Sequence, residues 1–166
     1  MSSIGSFEVL SNLAEHNIWA NQKIFDACSN IKADKLIDES HGYDSVIGIL
    51  NHLVQVEHSF FELAHDRQPQ KIQSGELDEL YSKCSNIDGA YLEYIKALKP
   101  GEIVTKCFLV PWFGFEISVL EGIVQPMTHS HKHRADVSML LPLLGGYGIE
   151  MDFIQWLDEQ RGEGSG

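Results

Sequence analysis

The sequence predicts an all-α protein built as a four-helix bundle. Four segments repeat apolar residues every three or four positions, which is the spacing of one face of an α-helix. Helix-capping or helix-breaking residues lie between most of these segments. At 166 residues the chain is most simply one domain, long enough to form a substantial core. We place the helices near 6–29, 45–66, 76–98 and 118–144.

The first helix carries two asparagines, Asn17 and Asn21, inside its apolar stripe, whereas His16 and Trp19 lie outside it. Buried amides need hydrogen-bond partners. We expect the two side chains to bond each other or to cap a neighbouring loop. The functional alternative is that this face of the helix lines a polar pocket in the bundle.

The second helix contains three histidines, which helical geometry sorts onto different faces. Asp44 or Ser45 can cap the start of this helix. With about 100° per residue, His52 lies at the edge of the apolar stripe, whereas His58 and His65 point roughly the opposite way. His52 is therefore the one histidine of the three that can face the core.

The third helix has the clearest apolar seam, which indicates a purely structural role. Its residues are Leu77, Leu80, Cys84, Ile87, Tyr91, Tyr94 and Leu98. The following stretch, 102–117, is rich in β-branched and aromatic residues but is interrupted by proline and glycine. We expect a small hairpin or an extended loop there, with Trp112, Phe113 and Phe115 either buried against the bundle or covering a site.

The fourth helix opens with a capping-box pattern, Ser118 followed by Glu121. Pro126 lies inside the helix, where we expect a kink or a weakened turn, and Pro142 can end the helix early. A last short helix near 150–160 is expected to bury its apolar residues, which are Phe153, Ile154, Trp156 and Leu157.

Three histidines within five residues, His129, His131 and His133, lie on the fourth helix. Side chains four residues apart share one face of a helix, so His129 and His133 point together and His131 points away. Two imidazoles at this spacing can bind one first-row divalent metal. An isolated pair is more often an ordinary pair of surface or core histidines, so a metal site requires another ligand from elsewhere in the chain.

Composition excludes several classes of partner. The net charge of −12 argues against a nucleic-acid groove or an anionic membrane surface, because both require basic patches. The sequence shows no secretory signal pattern and no membrane-spanning apolar run, so we expect a cytoplasmic protein. Cys28, Cys84 and Cys107 are expected to be reduced thiols packed as small hydrophobes. We expect one domain over 1–161 and a flexible tail over 162–166.

The sequence resembles the DinB-like superfamily (the DinB/YfiT group) in an ordered set of motifs. These are Asn17-Ile-Trp-Ala-Asn21, Ile49-Leu-Asn-His-Leu-Val54, Thr128-His-Ser-His-Lys-His-Arg134 and Asp152-Phe-Ile-Gln-Trp-Leu157. The set covers most of the chain. The resemblance implies an up-down-down-up bundle, often dimeric, in which three histidines hold a divalent metal. It assigns the metal ligands to His52, His129 and His133.

The sequence departs from the family pattern just after Arg134, where Ala135 and Asp136 replace the usual Gly-Gln. Asp136 falls on the same helical face as His129 and His133. A carboxylate in this position could orient His133 by accepting a hydrogen bond from its imidazole, or it could reach the metal itself.

Three neutral imidazoles would leave a fourth position for water or substrate, as in catalytic zinc sites. Zinc or nickel suits such a site best, with iron and manganese as further options. We expect a small metalloenzyme, a homodimer that adds a low-molecular-weight thiol to a small electrophile, as the resemblance implies. A metal-dependent hydrolase and a non-catalytic metal-binding stress or interaction protein are the alternatives. Glu57, Asp136 and Tyr43 are candidate acid–base partners, although a solvated or structural role is favoured for each.

Overall fold

The computed structural model describes residues 3–40, 44–99 and 101–163. Within them the chain is mostly helical, as predicted, with one small two-stranded sheet. The four predicted segments form α1 (Ser3–Ser29), α3 (Val46–Ala64), α4 (Leu77–Ala97) and α6 (Val119–Leu140). The shorter elements are α2 (Ala33–Leu36), α5 (Glu102–Thr105), β1 (Cys107–Val110), β2 (Phe115–Ser118), a 3-10 helix (Leu141–Leu144) and α7 (Phe153–Glu163).

The four long helices share one apolar core. α1 packs against α4 and α6, and α3 packs against the same two helices. The apolar stripes read from the sequence supply much of this core, including Leu10, Phe25, Leu53, Leu80 and Ile123. Burial of each such side chain stabilises the fold by roughly 1.5–3 kcal/mol. The up-down-down-up order of the helices stays a prediction.

The predicted helix caps are confirmed. The Ser45 hydroxyl accepts a hydrogen bond from the Gly48 amide at the start of α3. Ser118 and Glu121 form a full capping box at the start of α6. These side chains satisfy amides that have no partner within their own helix. α6 runs unbroken through the internal Pro126 and ends at Leu140, and Pro142 lies in the 3-10 helix that follows.

The stretch before α6 forms the predicted hairpin. β1 and β2 pair antiparallel, with Phe108 opposite Ile117, and Phe108 is buried. Of the two alternatives for the aromatic residues near the turn, burial against the bundle is wrong, because Trp112, Phe113 and Phe115 are 53%, 65% and 55% exposed. That they cover a site stays a prediction. The strands are only four residues long, so only their bundle-facing side chains reach the core.

α7 packs against α1 through a single face. Trp156 is buried, and Glu159 accepts a hydrogen bond from the Trp19 indole at 2.7 Å. The ring of Phe153 lies 5.3 Å from that of His16 on α1, yet Phe153 and Ile154 are 37% and 66% exposed, so the prediction that they are buried is wrong. A short surface helix buries one stripe and leaves the other side in solvent.

His16 of α1 is buried by the segment that precedes α7. It lies outside the apolar stripe, as the sequence predicts, yet it is buried, and its Nε2 is 2.9 Å from the carbonyl oxygen of Met151. The segment leading into α7 covers it. α7 itself runs to Glu163, into the stretch predicted to be a tail, and residues 164–166 lie outside the described part of the chain.

The cysteines follow the prediction only in part. Cys28 and Cys84 are buried free thiols, whereas Cys107 is exposed on β1. Cys84 belongs to the apolar core, as predicted, and its sulfur also lies 3.8 and 3.7 Å from carboxylate oxygens of Glu57 and Asp88. Among the described residues, none of the helices combines the length and the apolar character needed to cross a membrane.

Candidate metal centre

Three histidines from two helices converge at one edge of the bundle. His129 and His133 project from one face of α6, and His52 projects from α3, the neighbour that packs against α6. The Nε2 atoms of His52 and His129 are 3.1 Å apart. The ring centroid of His133 is 4.9 Å from that of His52 and 4.4 Å from that of His129. We call these residues the three-histidine site.

The three-histidine site has the donors that one divalent ion requires. One ring nitrogen from each imidazole lies within 4.8 Å of the corresponding atoms of the other two. Bonds from zinc to imidazole nitrogen are about 2.0–2.1 Å long, so one ion can reach two nitrogens that are 3.1 Å apart. No fourth His, Cys, Asp or Glu side chain belongs to this group among the described residues.

The electrostatics of the site favour neutral imidazoles. Burial, together with the charges of the neighbouring His133 and His52, lowers the pKa of His129 to about 4. Burial also lowers the pKa of His133, and nearby His52 adds to this effect, whereas Asp136 opposes it. A neutral imidazole keeps a lone pair available, and this is the form that binds a metal.

Asp136 contacts His133 rather than the centre of the site. Its Oδ2 lies 3.1 Å from Nδ1 of His133, so that nitrogen donates to the carboxylate and Nε2 keeps its lone pair. Asp136 is not among the residues whose atoms converge with the three imidazoles. Of the two roles predicted for Asp136, the structure therefore supports orientation of His133.

His52 occupies a different environment from the one predicted. The sequence pattern predicts that it faces the core, but the residue is exposed. The edge of the α3 stripe coincides with the edge of the bundle, so His52 meets the α6 histidines at the surface. This position gives the three-histidine site direct access to solvent.

The other histidines of α3 and α6, and the one that directly follows α3, lie elsewhere. Nδ1 of His65 is 2.8 Å from the carbonyl oxygen of Phe61, and His58 has a buried Nε2 without a hydrogen-bond partner. His131 lies on the far side of α6, beside a small apolar pocket that His16 also lines. These positions agree with the helical register used to exclude His58, His65 and His131 as ligands.

A groove of about 580 Å³ adjoins the three-histidine site and has His52 in its wall. Its rim is the segment 69–73, which two side-chain amides of α3 hold in place. Gln55 accepts from the Ile72 amide at 2.7 Å, and Asn51 exchanges two hydrogen bonds with the Ser74 backbone at 2.7 and 2.9 Å. The same helix, α3, therefore carries His52 and holds the rim of the groove in place.

A second set of polar residues lies inside the bundle, behind the three-histidine site. We call it the buried polar cluster; it consists of Asn17, Asn21, Glu57, Cys84, Asp88, Ser130 and Arg134. The expectation that Asn17 and Asn21 bond each other or cap a loop is wrong. Both amides instead donate to Glu57 and Asp88, two carboxylates that are themselves buried.

The sequence does contain a signal for this cluster, which is the presence of acidic residues at positions of the apolar stripes. Glu57 lies four residues after Leu53, and Asp88 lies four residues after Cys84, so each acidic residue continues an apolar stripe. A charged residue at such a position is buried only when it is paired. Glu57 is therefore structural rather than solvated, and Tyr43, another candidate acid–base residue, lies outside the described residues.

The buried polar cluster also contains atoms that could hold a metal, from Glu57, Cys84 and Asp88. Burial raises the pKa of the Cys84 thiol well above its usual value, and the two carboxylates raise it further. The thiol therefore stays protonated. The guanidinium of Arg134, almost fully buried, already supplies a cation here, which distinguishes this group from the three-histidine site.

Comparison with known protein families decides the affiliation of the chain. The family model described as the DinB family matches residues 1–163. The chain belongs to the DinB family. The resemblance seen in the ordered motifs is thereby confirmed for nearly the whole sequence. The sequence matches none of the curated proteins with which it was compared. This DinB family member thus combines a mostly helical fold with a candidate three-histidine metal site.

Proposed function

We propose that this protein binds one divalent metal ion through His52, His129 and His133. The observation that supports the proposal is the convergence of three ring nitrogens from two helices at a solvent-accessible edge of the bundle. Zinc and nickel suit three imidazoles, and iron or manganese are further options. The low pKa of His129 and His133 favours the neutral form that a metal needs.

We further propose that the protein is a small metalloenzyme of the thiol-transferase type, which acts on a small-molecule electrophile. A divalent ion in such a site supplies a Lewis acid that lowers the pKa of a coordinated water or thiol. The thiol would lose its proton to solvent, its sulfur would form a bond to the electrophilic carbon, and the leaving group would depart with its electron pair. The groove beside His52 has space for the rest of a small substrate.

Each protein group has a definite task in this proposal. Asp136 accepts from Nδ1 of His133 and so keeps Nε2 free for the metal. Asn51 and Gln55 hold the groove rim in place. The strongly acidic chain would not attract nucleic acid, which agrees with a small-molecule substrate.

The test compares metal-loaded and metal-stripped protein with a chloronitrobenzene electrophile and a panel of low-molecular-weight thiols, including cysteine and glutathione. The expected result is loss of the electrophile that requires both metal and thiol. A parallel assay uses a nitrophenyl ester without thiol. Ester hydrolysis that requires metal but no thiol would favour a hydrolase instead. Absence of both activities, with metal still bound, would favour a non-catalytic metal-binding protein.

A further inference from the structure

The buried stripe of α6 changes from apolar to polar at the level of the three-histidine site. Above and below this level the buried residues of α6 are apolar, as in Ile123, Met127, Val137 and Leu140. Between them the stripe contains Ser130 and Arg134, which are 0% and 1% exposed. A sequence that breaks the rule of an apolar core at one level usually does so for a functional reason.

Ser130 and Arg134 directly follow the two histidines of α6. Because consecutive residues of a helix are turned by about 100°, the pair His129 and His133 and the pair Ser130 and Arg134 occupy adjacent faces. The rotation of α6 that points Ser130 and Arg134 into the core also points the histidines towards α3. Contacts on the core face can therefore set the direction of the histidines.

The contacts of Arg134 tie α6 to α1. Nη1 of Arg134 donates to Oδ1 of Asn17 at 2.7 Å and to Oδ1 of Asn21 at 2.6 Å. Both bonds come from a charged donor in a buried setting, where hydrogen bonds are strong and directional. Asn17 and Asn21 are one turn apart on α1, so a single guanidinium nitrogen is held between two successive turns.

The contacts of Glu57 tie α3 to α6 and α1. Oε1 of Glu57 accepts from the Ser130 hydroxyl at 2.6 Å and from the Asn17 amide at 2.8 Å. Glu57 lies on the same helix as His52, just over one turn further along. The helix that presents His52 and the helix that presents the other two histidines are thus joined directly, behind the three-histidine site.

Asp88 completes the set from α4. Its two carboxylate oxygens accept from the Asn17 and Asn21 amides, each at 3.0 Å. Burial, together with the charge of Glu57, raises the pKa of Asp88 to about 8. Asp88 therefore keeps its proton at neutral pH.

Such a cluster is a poor way to stabilise a core. Replacement of a buried ionic group by neutral or apolar side chains of similar volume is often neutral or stabilising, because the desolvation cost disappears. Buried polar groups do specify register and orientation in helical proteins, since only one arrangement satisfies all of them. The buried polar cluster is therefore better suited to fixing the orientation of the helices than to stabilising the fold.

We infer that Arg134 and Glu57 are positioning residues, which fix the rotation of α6 against α3 and so direct His129 and His133 towards His52. This inference rests on the proposed metal site. It assigns the buried polar cluster a role in the metal centre without placing any of its atoms on the metal.

The test uses the neutral triple variant Arg134→Met, Glu57→Gln and Asp88→Asn, which leaves no unpaired charge in the core. Co²⁺ is the probe, because its visible absorption reports the geometry of its ligands. We expect a melting temperature equal to or above that of the native protein without metal. We also expect Co²⁺ to bind about 10–100-fold more weakly, as is typical when the groups that orient ligands are removed, with altered absorption bands.

Two further variants make the result decisive. Ser130→Ala removes only the hydrogen bond from α6 to Glu57 and retains every charge, so it should fold and should weaken Co²⁺ binding by a smaller factor. Ile95→Val trims a fully buried residue of α4 outside the buried polar cluster. It lowers stability through loss of packing, yet it should leave Co²⁺ affinity and absorption unchanged.

The possible outcomes separate this inference from the proposed function. Native-like Co²⁺ affinity and absorption in the folded triple variant would overturn the positioning role and leave the metal site intact. If the triple variant does not fold, native-like binding by Ser130→Ala would overturn it. Loss of affinity in Ile95→Val equal to that in Ser130→Ala would show a general stability effect and would also overturn it. A native protein that binds no Co²⁺ would overturn the metal site itself.

Discussion

The three-histidine site and the buried polar cluster both bring candidate metal ligands together, yet they differ in solvent access and in charge. The first lies at the edge of the bundle, with His52 exposed and His129 and His133 half-buried. The second is fully buried and contains two carboxylates, a thiol and the guanidinium of Arg134. Only the first offers neutral lone pairs that solvent can reach.

The difference shows that proximity of ligand atoms does not by itself define a metal site. In the buried polar cluster a resident cation, Arg134, already lies beside the acidic groups, and Asp88 retains a proton. At the three-histidine site burial lowers the pKa of His129, which removes the competing proton at neutral pH. The predictions below test this division from the largest expected effect to the smallest.

The first prediction concerns a ligand and its neighbour on α6. His129→Ala should weaken Zn²⁺ binding by more than the 10–100-fold that loss of an orienting partner costs, because it removes a donor atom. His131→Ala is the matched control, since His131 lies on another face of the same helix. Competitive titration against a chromogenic chelator measures both affinities. Equal losses in the two variants would contradict the helical register.

The second prediction concerns metal removal. A ligand that binds only the folded state at 100 times its Kd stabilises the protein by about 2.7 kcal/mol. For a chain of this size that corresponds to a fall in Tm of roughly 5–10 °C when a chelator removes the metal. Scanning calorimetry with and without chelator measures the shift. The variant His129→Ala should show little response, and a full response would place the metal elsewhere.

The third prediction concerns Asp136. Asp136→Ala removes the acceptor for Nδ1 of His133, so the imidazole can rotate and change tautomer. We expect about 10-fold weaker Zn²⁺ binding with one ion still bound per chain. Isothermal titration calorimetry measures stoichiometry and affinity together. A loss as large as that of His129→Ala would instead identify Asp136 as a direct ligand.

The fourth prediction concerns the pH dependence of stability from Asp88. Because burial and the charge of Glu57 raise its folded pKa to about 8, the folded protein keeps a proton that the unfolded chain releases near pH 4. Stability from this group is full below the unfolded pKa and falls as the pH rises from about 4 to about 8, by at most about 1.4 kcal/mol per pH unit.

Asp88→Asn cannot titrate, so urea unfolding of this variant between pH 5 and 8 should show a smaller decline than the native protein. Asp158→Asn, at an exposed position of α7, is the control and should retain the native decline. An unchanged decline in Asp88→Asn would mean that Asp88 does not keep its proton at neutral pH.

The long helices and their caps could be predicted because local information specifies them. The apolar spacing, Ser45 and the pair Ser118 and Glu121 each act within one or two turns of helix. The pairing of His129 with His133 also follows from spacing alone. The position of His52 opposite them came from the family resemblance, since helical spacing does not specify which helices pack together.

The buried polar cluster could not be predicted, because its partners lie on four different helices. The sequence shows that Asn17 and Asn21 need partners, but the partners are 36 to 117 residues away in the chain. The exposure of Phe113 and Ile154 could not be predicted for a related reason. Apolar character favours burial, but the shape of the packed bundle decides which apolar side chains reach the core.

The central claim is that His52 of α3 joins His129 and His133 of α6 around one divalent ion. The most direct test is the metal content per chain of the native protein, His52→Ala and His58→Ala, purified without a nickel column and equilibrated with Zn²⁺. Elemental mass spectrometry should find one ion per chain in the native protein and in His58→Ala, and far less in His52→Ala. Full metal content in His52→Ala would contradict the claim, because α3 would then supply no ligand.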